Sequence, residues 1–266
     1  MEVASCRGVI DAGRSIEYGP MSGFFARGSV PDPRLRDYFG SFDLVLSYLY
    51  DPDGVFAENL RVAGVKRFLQ GPHKPSGNSH AIEELLTPLQ QLGLNTIDRG
   101  ALLGPPRLAA RRDLIALHPG SGSRAKNWPT ASWHGLADKL LIAYPDARLV
   151  IIGGEADRHE LEALDALRRN PRVEFWENLP LVELARRLEA DCDGYVGHDT
   201  GVSHLAAELG LPSLLLFGPT DPAVWAPPSG CVAVLRAPGN DLTRLEIPRV
   251  LTAVARHITS HWLAPN

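Results

Sequence analysis

Apolar residues recur along this chain in two periods, and after about residue 110 the chain switches between them regularly. Short apolar runs at 114–117, 149–152, 173–175, 195–196 and 214–217 read as buried strands. Between them, 132–143, 158–168, 181–188 and 202–209 place apolar residues at helical spacing. Strands alternating with helices of about 10 to 15 residues imply an α/β fold, a parallel doubly wound sheet with helices on both faces. Pro129-Thr130 has the form of a helix start, and Asp157 followed by Glu160 has that of a capping box. A last helix is expected at 247–262, packing back across both domains.

The first 108 residues alternate less cleanly. Strands are expected at 8–10, 43–49 and 65–69 and a helix at 81–92, with turn-rich "GNS" at 77–79 and "GPPR" at 104–107. The latter reads as a linker between domains 1–108 and 109–266, a division that suits a chain of 266 residues.

The composition narrows the function classes. At 44% hydrophobic and 22% charged, with a net charge of -4, the chain has no basic surplus to hold a polyphosphate backbone, so nucleic acid is not an expected partner. No apolar run approaches the roughly 20 residues needed to cross a bilayer. The opening lacks the charged, apolar, then small-residue order of a leader, so a cytoplasmic location is expected. Cys6, Cys192 and Cys231 are too widely spaced to suggest a disulfide framework or a zinc site, and read as small buried hydrophobes.

Four stretches fall just after predicted strands: 120–126, 153–157, 198–204 and 218–221. In an open parallel sheet that edge gathers ligands. In "GSGSRAKNWP" small residues precede Lys126, one of four lysines in the chain. Such a loop at a helix start offers backbone N–H groups and the positive end of the helix dipole, an anion site. Ser121 and Ser123 add hydroxyls, Gly122 allows close approach, and Lys126 adds a point charge. A metal would then be unnecessary. Read alone, the loop is equally a turn with a surface lysine. In "HDTGVSH", Asp199 or Thr200 read alone is a helix N-cap, Gly201 leaves room for a ligand, and His204 is also a plausible core histidine. The chain has no G-x-G-x-x-G after its first strand, no Walker lysine and no G-x-S-x-G, which argues against a dehydrogenase, an NTPase and a serine hydrolase. Of two D-x-D triplets, 51–53 and 191–193, the second precedes its strand and lies at the opposite edge.

"HPGSGSRAKNWPTASW", followed about 70 residues later by "DTGVSHLAAELGLPSLLLFGPTDPAVWAP", resembles the nucleotide-sugar domain of glycosyltransferase family 9, the bacterial lipopolysaccharide heptosyltransferases. "FGSFDLVLSYLYDPDG" and "HAIEELLTPLQQLGL" resemble the end of its acceptor domain. The resemblance implies the GT-B architecture: two Rossmann-like doubly wound domains facing a cleft. It also implies metal-independent, inverting transfer of a heptose-like sugar from an ADP-sugar to a lipopolysaccharide or other glycan or glycolipid acceptor, with peripheral membrane contact and no cofactor. Carried over by position, Ser121, Gly122 and Lys126 hold the diphosphate, and Asp199, Thr200 and Gly201 bind near the phosphates and donor sugar. Asp157 falls on the ribose hydroxyls, with helix capping as its other reading. Leu179 and Pro180 line the adenine pocket, and His204 supports the phosphate-side loop.

The resemblance also marks a departure. Family members open with a strand and a Gly-Asp turn that supplies the base, and this chain enters the pattern some 50 residues late, so an incomplete N-terminal domain is expected. Asp51 is the substitute base, with a turn role as the alternative. A catalytically idle nucleotide-sugar-binding homologue is the competing function, and a nucleotide-sugar epimerase of similar architecture a weaker third. A shortened sheet exposes an edge that homo-oligomerisation would cover.

Overall fold

The computed structural model describes residues 10–94 and 113–259, which form two compact units, 11–94 and 113–259. The expected linker at 104–107, the domain boundary after 108, most of the strand at 8–10 and the last residues of the helix ending at 262 lie outside the described residues.

The smaller unit runs through a 3-10 helix Gly19–Phe25, α1 Pro33–Gly40, β1 Val45–Ser47, α2 Val55–Val62, β2 Phe68–Gln70 and α3 Ala81–Gln90. β1 and β2 pair in parallel, Val45 opposite Phe68. Its core gathers Met21, Phe24, Leu35, Phe56, Leu60 and Val65, with the Phe24 ring edge-on to Phe39 at 5.0 Å. The helices start on local caps. Asp32 accepts from Arg34 and Leu35 N–H, and His80 Nδ1 from Ile82 N–H. One buried carboxamide spans further: Asn59 donates to the Phe24 and Ala26 carbonyls at 3.0 and 3.1 Å, fixing the 3-10 helix to α2.

The larger unit is a six-stranded parallel sheet: β3 Leu114–Leu117, β4 Arg148–Gly153, β5 Val173–Glu177, β6 Gly194–His198, β7 Ser213–Phe217 and β8 Val232–Arg236. Its spatial order β5-β4-β3-β6-β7-β8 reverses direction between β3 and β6, the doubly wound pattern. Period-two alternation splits the core. Ile115, Leu117, Leu149 and Ile151 face Trp133, Leu136 and Leu140 of α4 (Thr130–Ala143) and Val250 and Val254 of α9 (Ile247–His257). Leu114, Ala116, Val150 and Ile152 face Leu184 and Leu188 of α6 (Leu181–Asp191) and Ala206 of α7 (Gly201–Glu208).

Three expectations need correction. The edge strand β8 is absent from the sequence reading although Val232–Leu235 is an apolar run; at the sheet edge its residues are at most partly buried. The helix expected at 158–168 is α5 Arg158–Ala163 followed by a 3-10 helix, Asp165–Arg169. Asp157 and Glu160 form no capping box. The Asp157 side chain does not cap α5, and Glu160 Oε1 instead accepts from Asn127 Nδ2 at 2.9 Å. The short helix α8, Pro222–Trp225, is capped by Asp221.

Candidate functional site

The carboxyl ends of β3, β4, β5 and β6 converge on a cavity of about 300 Å³ at the point where the strand order reverses. Of the residues expected there, Ser121, Gly122, Asp157, Leu179 and Thr200 line it, and Trp176 and Leu184 contribute an apolar wall. Lys126 stands beside Asp199: its Nζ donates to the Asp199 carbonyl at 3.0 Å and lies 3.5 Å from the carboxylate. Gly201 opens α7 and has empty space where a Cβ would project. His204 is half-buried in the first turn of α7, Pro180 is the residue before α6, and Ser123 is an exposed residue before the short 3-10 helix that carries Lys126.

The loop after β3 is internally bonded. The Ser121 hydroxyl lies 2.5 Å from Asn127 Oδ1 and 2.8 Å from the Ser123 carbonyl, and Asn127 links on to Glu160. Gly120 is required for contact rather than for flexibility. A Cβ there would stand 1.8 Å from Asp157 Oδ1, so only glycine lets the carboxylate lie against the loop.

Beneath the cavity runs a chain of buried polar groups. Asp157 Oδ2 accepts from Gly154 N–H at 2.9 Å and lies 3.4 Å from His118 Nε2, while His118 Nδ1 lies 3.2 Å from the Tyr195 hydroxyl. Tyr195 reaches Ser203 at 3.0 Å, and Ser203 donates to the His198 carbonyl. Thr200 Oγ1 accepts from Ser203 N–H, capping α7. Burial by itself would raise the pKa of Asp157, but the His118 and Gly154 hydrogen bonds outweigh it and hold the carboxyl below the usual range. Burial pushes Tyr195 upward, so it stays a neutral phenol. The site thus has a charged ammonium and the first amides of α7 at its rim, and a fixed polar floor. That combination suits an anion at the mouth with an apolar ring system beside it.

Asp51, the expected base, belongs to the smaller unit. Its two oxygens accept from Phe56 and Ala57 N–H at 3.1 and 3.0 Å, the geometry of a cap on α2. Asp193, in the discounted triplet, accepts from Asp113 N–H at the opposite edge of the sheet from the cavity. Among the described residues no three His, Cys, Asp or Glu side chains gather where they could hold a metal ion, and no helix is long and apolar enough to cross a membrane. Sequence reasoning missed His118, Tyr195 and His198. The available signal was a histidine closing an apolar strand, as in "LIALH" at 114–118 and "GYVGH" at 194–198.

The family model for glycosyltransferase family 9 (heptosyltransferase) matches residues 81–252. The chain belongs to glycosyltransferase family 9. Among its family relatives, lipopolysaccharide heptosyltransferase 1 of Pseudomonas aeruginosa is 38% identical over 111 residues, 41% of this chain and 29% of that protein. Lipopolysaccharide heptosyltransferase 2 of Salmonella typhimurium is 32% identical over 169 residues, 60% of this chain and 47% of that protein. The chain therefore spans less than half the length of these curated relatives. The solved structure of the E. coli heptosyltransferase WaaC with ADP superposes with a TM-score of 0.64 at 22% identity, covering 84% of this chain and 77% of that one. That likeness establishes the family's two-domain α/β GT-B fold.

Proposed function

We propose that the chain is a glycosyltransferase that moves a heptose-like sugar from an ADP-sugar to a lipopolysaccharide-type glycan or glycolipid acceptor, with inversion and without a metal. The observation that carries the reading is Lys126 held on Asp199 beside a cavity bounded by the β3 loop and the first turn of α7. In an inverting displacement the acceptor oxygen bonds to the anomeric carbon as the bond from that carbon to the diphosphate breaks. Negative charge grows on the leaving group, and the acceptor hydroxyl gives up its proton to a base. The Lys126 ammonium and the loop and helix amides meet that charge. Ser121 and Gly122 cradle the diphosphate, Asp199, Thr200 and Gly201 face the phosphates and the donor sugar, and Leu179 and Pro180 flank the adenine. Asp157 has lone pairs beyond its two internal contacts with which to accept from a ribose hydroxyl.

Transfer from ADP-heptose to a lipopolysaccharide core acceptor, assayed in EDTA, tests the reading. Lys126→Ala is expected to lower turnover about a hundredfold, the scale for removing one electrostatic donor from a transition state. Undiminished turnover in that variant rejects the assignment, and ADP binding without transfer to any acceptor favours an idle homologue.

A further inference from the structure

His198 is fully buried at the last position of β6 and plays no part in the proposed chemistry. Its ring touches both ends of the loop that carries Lys126. Trp128 N–H donates to Nε2 at 2.9 Å, and Nδ1 lies 3.4 Å from the Gly120 carbonyl. Because Nε2 accepts, the single proton of the neutral ring sits on Nδ1 and is donated to Gly120. One imidazole thus closes the segment from Gly120 to Trp128. The ring stands edge-on to Trp133 at 5.4 Å, Trp133 stands edge-on to Trp128 at 5.3 Å, and all three side chains are buried. The Trp128 indole donates to the Leu245 carbonyl at 2.9 Å and anchors that end from the far side. The next residue, Asp199, takes Lys126.

We propose that His198 is a positioning residue that clamps the 120–128 loop and so holds Lys126 and the loop amides in diphosphate-binding geometry. It rests on the reading that this loop receives the diphosphate. The clamp needs a group that accepts at one end and donates at the other, which neutral imidazole supplies and an aliphatic or cationic side chain does not. Burial supports it by driving the His198 pKa down to about 3, so the ring stays neutral through the physiological range.

Two measurements on the full chain test the clamp. In amide hydrogen exchange without ligand, His198→Leu should speed exchange at Trp128 and the 120–128 segment about tenfold, with β7 and α9 unchanged, because a buried N–H loses its acceptor. His198→Gln, which keeps an acceptor and a donor, should restore most of the protection. Should His198→Leu not fold, His198→Asn reaches only as far as Nδ1, so it should spare Gly120 and expose Trp128. In calorimetric titration with ADP, His198→Leu should weaken binding about tenfold, and adding Lys126→Ala to it should cost little more, since both act through one loop. Unchanged exchange in His198→Leu, or effects of the two substitutions that simply multiply, would overturn the clamp. If the unmodified chain binds no ADP, the diphosphate reading falls, and the exchange measurement still decides whether His198 orders the loop.

Discussion

The two units hold themselves together by different means. In residues 113–259, contacts between residues distant in sequence fix the loops: His118 with the Asp157 carboxylate, His198 with the Gly120 carbonyl and Trp128 N–H, Lys126 with the Asp199 carbonyl. In residues 11–94 the helices start on caps two to six residues away, from Asp32, Asp51 and His80, and the longer tethers run one way, from side chain to backbone carbonyl: Asn59 to Phe24, Tyr48 to Leu85 and Arg67 to Gln91. The surfaces differ in the same direction. Nine of the twelve large exposed hydrophobics among the described residues belong to the smaller unit, including Val30 at 80% and Tyr50 at 70% exposure. The larger unit covers its own apolar faces and can devote buried polar groups to a site. The smaller one leaves apolar surface open and uses its polar groups to cap helices and tie them to backbone carbonyls.

The contrast can be broken at its strongest point first. Phe24, fully buried in the smaller core, should cost about 3–5 kcal/mol when changed to Ala, read as loss of a thermal transition, while ADP affinity stays within about twofold. Loss of ADP binding there would show that the units are not separable. Gly120→Ala drives a Cβ into the Asp157 carboxylate and should cost about 1–3 kcal/mol and abolish ADP binding, the reverse pairing of effects.

Acid should act on the larger unit through buried His198. The unfolded chain takes up a proton on His198 near pH 6.5, whereas the folded chain refuses it until about pH 3, so stability falls as pH drops across that window. The contribution cannot exceed about 1.4 kcal/mol per pH unit, and denaturant titrations of His198→Gln should show that slope removed above pH 4. Asp157 acts lower. Its depressed carboxyl stabilises the fold above the unfolded value near 4 and is lost as pH falls through its folded value, so that limb should survive in His198→Gln and shrink in Asp157→Asn. The smallest effect is expected at Asp51. Asn keeps only one of the two acceptor oxygens, so Asp51→Asn should cost about 1 kcal/mol, the net worth of one hydrogen bond. Transfer should change little if the residue is only a cap, and fall steeply if it is the base.

The same contrast explains what could be read in advance. β3 is legible to the residue because its four apolar positions stand together, and β4, β6 and β7 because they are buried on both faces. α1 is not, since "PRLRDYFG" is largely polar and buries only Leu35, and α2 is two turns long. At the site, residues grouped in one loop could be found together, but the pairing of His118 with Asp157 spans 39 positions and leaves no local trace. His198 was within reach: a histidine closing an apolar strand has to be hydrogen-bonded when buried.

The central claim is that an ammonium group and backbone amides, not a divalent cation, neutralise a nucleoside diphosphate at the edge of the larger sheet. Calorimetric titration of ADP in EDTA, on the unmodified chain and on Lys126→Ala, tests it most directly. The account predicts one ADP per chain without added metal and an affinity at least about tenfold weaker in the variant. Binding that appears only with magnesium, or is unchanged by Lys126→Ala, would contradict it.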